Sequence, residues 1–439
     1  MLYFAKGRIR GLFAFGCLHA DLEDAFGVSV ACSLLTVWMK LSGMKSYSRR
    51  CISMDEAKME LSNRDVYTEL AERWCGSTYM WLDYVPPGGA LQKVLREIFS
   101  EAEAEALKAV PLSPVPLHYL PLQEIADAGA LPLEQLEAIL DGLVARGLVF
   151  AGTAAGNKKG YALIKNGYGF SQVFYWKGEK NELTHRLVDL ESDGDYRKAR
   201  MGLYKSEADK TKAYRYIPLS ASLDPRWQSV YPTETIERII QKARKYALVH
   251  CTCRVIYELR KGESCGHPTD VCIKLDELAE SVINGGLGRE ISRDEALAVI
   301  RKAVAHGLVH FTDNAEEGIK HICNCCGCAC WSVGAIRKRL IPRDMLMAVY
   351  YMRQVVAEEC SGCAACVVAC PVNAVTMADG VSRVDMDWCI GCGVCAPCCP
   401  NGAVKIVEND KPPAFAKNLQ ELYTRLDSER RERLGGEKQ

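Results

Sequence analysis

The sequence predicts a mixed α+β, multidomain fold, and three observations carry that expectation. Apolar residues at helical spacing are followed by a short pair of strands at two places, residues 131–164 and 292–322. Cysteine is unevenly spread: of 22 in the chain, only Cys17, Cys32, Cys51 and Cys75 precede residue 250, and the rest fall in tight groups. Finally, 439 residues with 49% hydrophobic and 25% charged composition suit a set of globular domains and exclude a mainly disordered chain. Lys plus Arg and Asp plus Glu are 55 each, so no overall positive charge draws the chain to nucleic acid or an anionic membrane.

Near the start, Lys6, Arg8 and Arg10 precede the apolar stretch Gly11–Ala20, a weak imitation of a signal peptide. Asp21, Glu23 and Asp24 separate it from a second apolar run, Ala25–Met39, whose 15 residues fall below the span of a bilayer. No membrane span is expected. An ordinary amphipathic pattern begins only at Met54, so residues 1–53 are expected to be an upstream extension, and mass spectrometry of the native N-terminus decides whether it is translated.

From Pro111 to Ile164 the pattern is helix, turn, longer helix and hairpin. The helix Leu131–Ala145 sets Leu136, Ile139, Leu140 and Leu143 on one face, with Gly147 as its stop. Leu148–Phe150 and Tyr161–Ile164 read as strands around the polar tip Ala154–Gly160. This arrangement resembles a winged helix, which implies DNA as a partner. The residues argue against that: the candidate recognition helix carries Glu134, Glu137 and Asp141, and only Lys158 and Lys159 on the wing favour phosphate. A packing or docking module is the expectation.

Residues 171–232 read as a charged connector. Thereafter Thr233 is expected to cap a helix with Ile236, Ile239, Ile240, Ala243 and Ala247 on one face, delivering His250 and Cys251. Ser292 and Glu295 have capping-box spacing ahead of Ala296, Val299, Ile300, Ala303 and Val304, which are expected to supply the buried face. Gly307-Leu308-Val309 repeats Gly147-Leu148-Val149, as an internal duplication would, and the strand Gly318–Ile322 leads into Cys323.

Two tandem runs dominate the C-terminal region: Cys360, Cys363, Cys366 and Cys370 before Pro371, then Cys389, Cys392, Cys395 and Cys399 before Pro400. Both are Cys-x2-Cys-x2-Cys-x3-Cys-Pro. Two residues between thiolates let a tight loop wrap three corners of one cubane, and a remote cysteine must close the site. The segment closely resembles bacterial dicluster ferredoxins. The resemblance implies two 4Fe-4S clusters with exchanged ligands: Cys360, Cys363 and Cys366 with Cys399, and Cys389, Cys392 and Cys395 with Cys370. Ala374–Met377 and Val381–Val384 read as a hairpin around Ala378-Asp379-Gly380, and Ala403–Val407 as a closing strand. Cys398 is expected to be a spare thiol. Glu358, Glu359, Asp379, Asp385, Asp387 and Glu408 outweigh Arg383 and Lys405, which disfavours added electrons. Both clusters are therefore expected to titrate at low potential, and a redox titration that reduced them only at positive potential would contradict this.

Upstream, Cys251, Cys253, Cys265 and Cys272 match neither a zinc finger nor the ferredoxin spacing, yet four thiolates suffice for one cluster, with structural zinc as the next alternative and unmetallated core thiols as the third. Cys323, Cys325, Cys326, Cys328 and Cys330 crowd five thiols into eight residues, beyond what one apolar face accommodates. They either hold a further centre alone or join the earlier four around one centre. One or two additional iron–sulfur clusters are thus expected. His250, His267 and His321 flank these cysteines and have weaker claims as ligands or proton carriers. No Gly-rich nucleotide loop and no Ser-His-Asp set is legible. So many thiols in a large chain point to metal ligation in a reducing cytoplasm rather than to a disulfide scaffold.

The expected organisation is residues 1–53 as extension, 54–170 helical and winged-helix-like, 171–250 charged connector and helix, 251–345 cysteine-rich, 352–408 ferredoxin-like, and 409–439 a charged helix. That helix, from about Phe415 to Leu434, has Leu419, Leu422 and Leu426 as a modest apolar stripe and reads as solvated or partner-facing. The resemblance extends to iron–sulfur proteins of anaerobes that append such a ferredoxin. That suggests a setting but not a reaction; the ferredoxin resemblance implies single-electron transfer with redox partner proteins through two 4Fe-4S clusters, and a metal centre on the central cysteines is the expected donor or acceptor. Two other classes stay open: a reductase or activating enzyme, an oxidoreductase whose central site is catalytic, and an iron–sulfur redox sensor using the winged helix.

Overall fold

The computed structural model describes residues 65–75, 89–129, 131–165, 168–194, 210–223, 235–345 and 347–436. The proposed extension over residues 1–53 and the Thr233 cap lie outside them. Helices and several separate sheets make up a mixed α+β architecture, and Val66–Arg430 form one unit. Among the described residues no helix is long and apolar enough to cross a membrane.

The first sheet has three strands: Leu120–Pro121, Lys158–Leu163 and Val149–Ala154, in that order across the sheet. The helix beside it runs Leu133–Ala145 and buries Leu136, Leu140 and Leu143. It begins two residues later than the periodicity predicts, because Pro132 pushes Leu131 away from helical dihedrals. Gly147 ends it at φ +70°, and the Leu287 side chain fills the space a Cβ there would need. The acidic face of this helix is already engaged: Asp141 accepts from Lys159 Nζ at 2.6 Å and from the Tyr161 hydroxyl at 2.6 Å. Tyr119, just ahead of the strand Leu120–Pro121, ties this sheet to the middle of the molecule, its hydroxyl 2.7 Å from Ser281 Oγ on the helix Asp276–Asn284.

A seven-stranded sheet forms the middle. Its order is Met347–Ala348, Tyr214–Ile217, Val309–Asp313, His321–Cys325, Cys272–Leu275, Tyr246–Val249 and Arg289–Glu290. All pairs are antiparallel except the first, which is parallel. Two expectations change here. The charged connector supplies the strand Tyr214–Ile217, buried along its whole length, and the capped helix Glu182–Ser192. The helix expected to run to Ala247 is Ile236–Lys242, capped by Thr235, and Ala247 instead lies on the strand Tyr246–Val249. The run Tyr-Ala-Leu-Val favours a buried strand once Arg244 and Lys245 interrupt the apolar face. The capping box of Ser292 and Glu295 forms as expected, starting the helix Arg293–Ala305, whose buried face is Ala296, Val299, Ile300 and Ala303, while Val304, next to the end of the helix, is exposed rather than buried.

The C-terminal region holds two small sheets. Tyr351–Val355 pairs antiparallel with Val404–Glu408, and Val375–Ala378 with Val381–Val384. Asp379 (φ 52°) and Gly380 (φ 74°) make the tight turn of the second pair, the backbone sense that suits the twist of a hairpin. A short strand, Ala416–Asn418, then pairs with Ala315–Glu317. The last helix, Leu419–Gly436, departs from the solvated reading: Leu419, Leu422 and Leu426 are buried in the main core. Leu422→Ala, at 0% exposure, is expected to destabilise the fold by about 2–5 kcal/mol, measured as a lowered thermal midpoint.

Candidate metal centres

The first ferredoxin-like motif surrounds a small cavity. Cys360, Cys363 and Cys366 line it together with Cys399 from the second motif, alongside Met377 and Ser382. Ala364, at φ 58°, turns the chain into the short helix Ala365–Ala369 that carries Cys366. Backbone N–H groups of Ser382 and Gly362 hold the Cys360 thiol below its usual range. Cys398 faces away, exposed, its thiol donating to the Val394 carbonyl at 3.4 Å.

Cys370, the last cysteine of the first motif, sits with the second. Burial raises the Cys389, Cys392 and Cys395 thiols, and each of the three also feels the charge of Cys370. Cys370 Sγ accepts from the Ala374 N–H at 3.2 Å. Gly391 is required by packing: a Cβ would lie 2.0 Å from the Tyr351 carbonyl oxygen.

Arg353, on the strand Tyr351–Val355, is a residue the sequence reading missed. Its side chain is buried, with Nη2 donating to Ser382 Oγ at 2.6 Å and to Cys366 Sγ at 3.4 Å. Its charge also acts on Cys395 of the second group. Nε and Nη1 are buried with no hydrogen-bond partner among the described residues. A buried guanidinium with two idle donors is costly unless acceptors fill the space it faces. Anionic clusters held by these cysteines supply such acceptors, so the residues present fit the group. The only sequence signal was a basic residue in an apolar strand just ahead of the motif.

The central cysteines divide into two groups, and the division does not follow the chain. The strand register places Ile322 opposite Ile273, which brings Cys323 beside Cys272, their sulfurs 4.0 Å apart. Cys323 and Cys325 share one face of their strand, as residues two apart must. Sulfur–sulfur interactions link Cys323 to Cys325, Cys325 to Cys330, Cys330 to Cys253, and Cys253 to Cys251 at the head of the helix Thr252–Lys261. Cys253 and Cys325 push the Cys330 thiol down to about 5. Six thiols from three segments thus gather, with Cys272, Cys325 and Cys330 in the main core and Cys323 packed against it.

Cys265 is not among them. It lies with Cys326 and Cys328, within the core on the other side of the sheet. The four cysteines from Cys251 to Cys272 are therefore not brought to one centre. Between the groups stands Arg254, fully buried, with Nη2 donating to the Asn324 carbonyl at 3.0 Å and its charge acting on Cys251, Cys325 and Cys326. The histidines are engaged elsewhere. His250 Nδ1 is 2.9 Å from Thr269 Oγ1, and His321 Nδ1 lies 3.3 Å from Asp313 Oδ1 in an aromatic surround of Tyr168, Tyr214 and Phe311. The His267 backbone N–H reaches the Cys265 sulfur.

The central groups and the ferredoxin-like region are in contact. A Cβ on Gly327 would lie 2.1 Å from the Pro371 carbonyl oxygen, so the turn carrying Cys326 and Cys328 abuts the residue after Cys370. Buried Tyr216 lies within electrostatic reach of Cys330 and Cys325 on one hand and of Cys392 on the other.

Residues 353–376, which contain the first motif and Arg353, match the family model of the 4Fe-4S binding domain. No curated protein and no solved structure matches the chain.

Proposed function

We propose that this iron–sulfur protein carries single electrons through two 4Fe-4S clusters in residues 352–408 to or from a third iron–sulfur centre on the six-thiol group. The observation that carries the reading is the cavity shared by Cys360, Cys363 and Cys366 with Cys399, matched by the company Cys370 keeps with Cys389, Cys392 and Cys395. One cluster is bound by the first set and one by the second, each motif lending its last cysteine to the other. The clusters supply reversible one-electron chemistry, while the protein sets their potentials through N–H donors, burial and Arg353.

The direction of the wire follows from the packing. Cys363 is exposed and Val368 on the adjoining helix is 88% exposed, so the first cluster faces a redox partner protein. Cys392 of the second set is buried within electrostatic reach of Tyr216, which also reaches Cys325 and Cys330 of the six thiols, so a cluster held by the second set would connect the first to the central centre. The helix–hairpin module around residues 120–163 resembles a winged helix in strand order, but with Lys159 held by Asp141 it is read as a packing element rather than a DNA reader. Cytoplasmic location follows from the need for reduced thiolates.

Iron and sulfide counting after anaerobic purification tests the reading. About 12 of each per chain is expected; about 8 leaves only the ferredoxin-like pair, and none overturns the reading altogether.

A further inference from the structure

Cys265, Cys326 and Cys328 stand apart from the other thiols in position and spacing. Their three sulfurs lie within 4.8 Å of one another, the one set of three Cys, His, Asp or Glu donors among the described residues drawn so close. Cys360, Cys363, Cys366 and Cys399 instead stand around a void, and the six thiols across the sheet approach one another as a chain of pairs such as Cys272 and Cys323, no three of them mutually so close. A single tetrahedral ion with metal–sulfur bonds of about 2.3 Å spaces its thiolates roughly 3.8 Å apart, whereas a cubane holds them on separate corner irons, further from each other. The trio has the spacing of one ion.

Its surroundings suit thiolates. Cys326 Sγ accepts from the Ala329 N–H at 3.5 Å, and Cys265 receives the His267 N–H. Arg254 reaches Cys326 from the inner side, with Nε and Nη1 otherwise unpartnered among the described residues. Its positive charge offsets the net negative charge of three thiolates around a dication. Cys326 is buried, while Cys265 and Cys328 are half-exposed, so the remaining side of the trio faces outward. No fourth side-chain donor joins them among the described residues.

We infer that Cys265, Cys326 and Cys328 form a mononuclear three-thiolate site for a zinc-type divalent cation, separate from the iron–sulfur centres, with its fourth position open outward. Three protein ligands and an open position leave room for water or an exchangeable small donor, unlike a closed structural site. The ion also ties the turn after the helix Thr252–Lys261 to the turn after the strand His321–Cys325.

The test is elemental analysis of the full chain, anaerobically purified, beside the Cys265→Ser, Cys328→Ser double variant, whose replaced side chains are both half-exposed. The expected result is one equivalent of zinc in the parent, lost in the variant, with iron and sulfide unchanged. Loss of iron and sulfide in the variant, or no zinc in the parent, overturns the inference. Cobalt exchange into the parent chain gives a check that needs no variant: intense tetrahedral d–d bands with thiolate-to-cobalt charge transfer are expected, and octahedral bands or none overturn it. A chain that holds zinc but no iron would sink the electron-transfer reading and leave this site standing.

Discussion

Cys399→Ser is expected to empty the cluster bound by the first motif, although the substituted residue belongs to the second. Iron and sulfide should each fall by about 4 per chain, with the cluster of the second motif retained. Cys399, not Cys398, lines the cavity with Cys360, Cys363 and Cys366, so the neighbouring thiol has no path to replace it without turning the chain. The reciprocal variant, Cys370→Ser, should remove the other cluster. Pairing tells most: Cys399→Ser combined with Cys363→Ser should cost no more iron than either alone, since both delete one centre. Cys398→Ser should leave the iron content unchanged. If Cys399→Ser instead depleted the same cluster as Cys389→Ser, ligation within each motif would replace the exchanged arrangement.

Arg353→Met should lower the potentials of both clusters. The guanidinium donates to Cys366 Sγ and its charge acts on Cys395, so it stabilises the reduced, more negative form of each cluster more than the oxidised one. A hydrogen bond to a charged group is worth about 1.5–3 kcal/mol, which for one electron corresponds to about 60–130 mV. The potentials should move to more negative values by that order, and Arg353→Lys should restore part of the shift. Unchanged midpoints in a spectroelectrochemical titration would show that Arg353 only fills space. The acidic residues that point to low potential are mostly solvent-exposed, and a buried cation acts over a shorter path in a lower dielectric. Arg353 therefore moderates the acidic surround.

Local chemistry made parts of the molecule legible from the chain alone. The hairpin around Asp379 and Gly380, the capping box of Ser292 and Glu295, and the stop at Gly147 depend on residues a few positions apart. The same holds for the spacing of Cys360, Cys363 and Cys366 around their cavity. Non-local register was not legible. Cys265 parts from Cys272 because Cys272 begins a strand whose register sets it beside Cys323, while Cys265 stays in the preceding turn with Cys326 and Cys328. Nothing in the intervals between cysteines encodes which side of the sheet each will reach. Tyr214–Ile217 was obscured for a related reason. Its Arg215 looks solvent-seeking in sequence, yet it is fully buried, with Nη1 donating to the Ala315 carbonyl at 2.8 Å. Buried arginines mislead a reading based on alternation, and here Arg215, Arg254 and Arg353 all do so.

The EPR spectrum of the fully reduced, anaerobically prepared chain tests the paired-cluster account most directly. Two reduced cubanes held side by side by exchanged anchors predict a spectrum broadened and split by spin–spin interaction, which simplifies to a single isolated signal in Cys399→Ser. A parent spectrum of one isolated cluster, unaltered by that substitution, would contradict it.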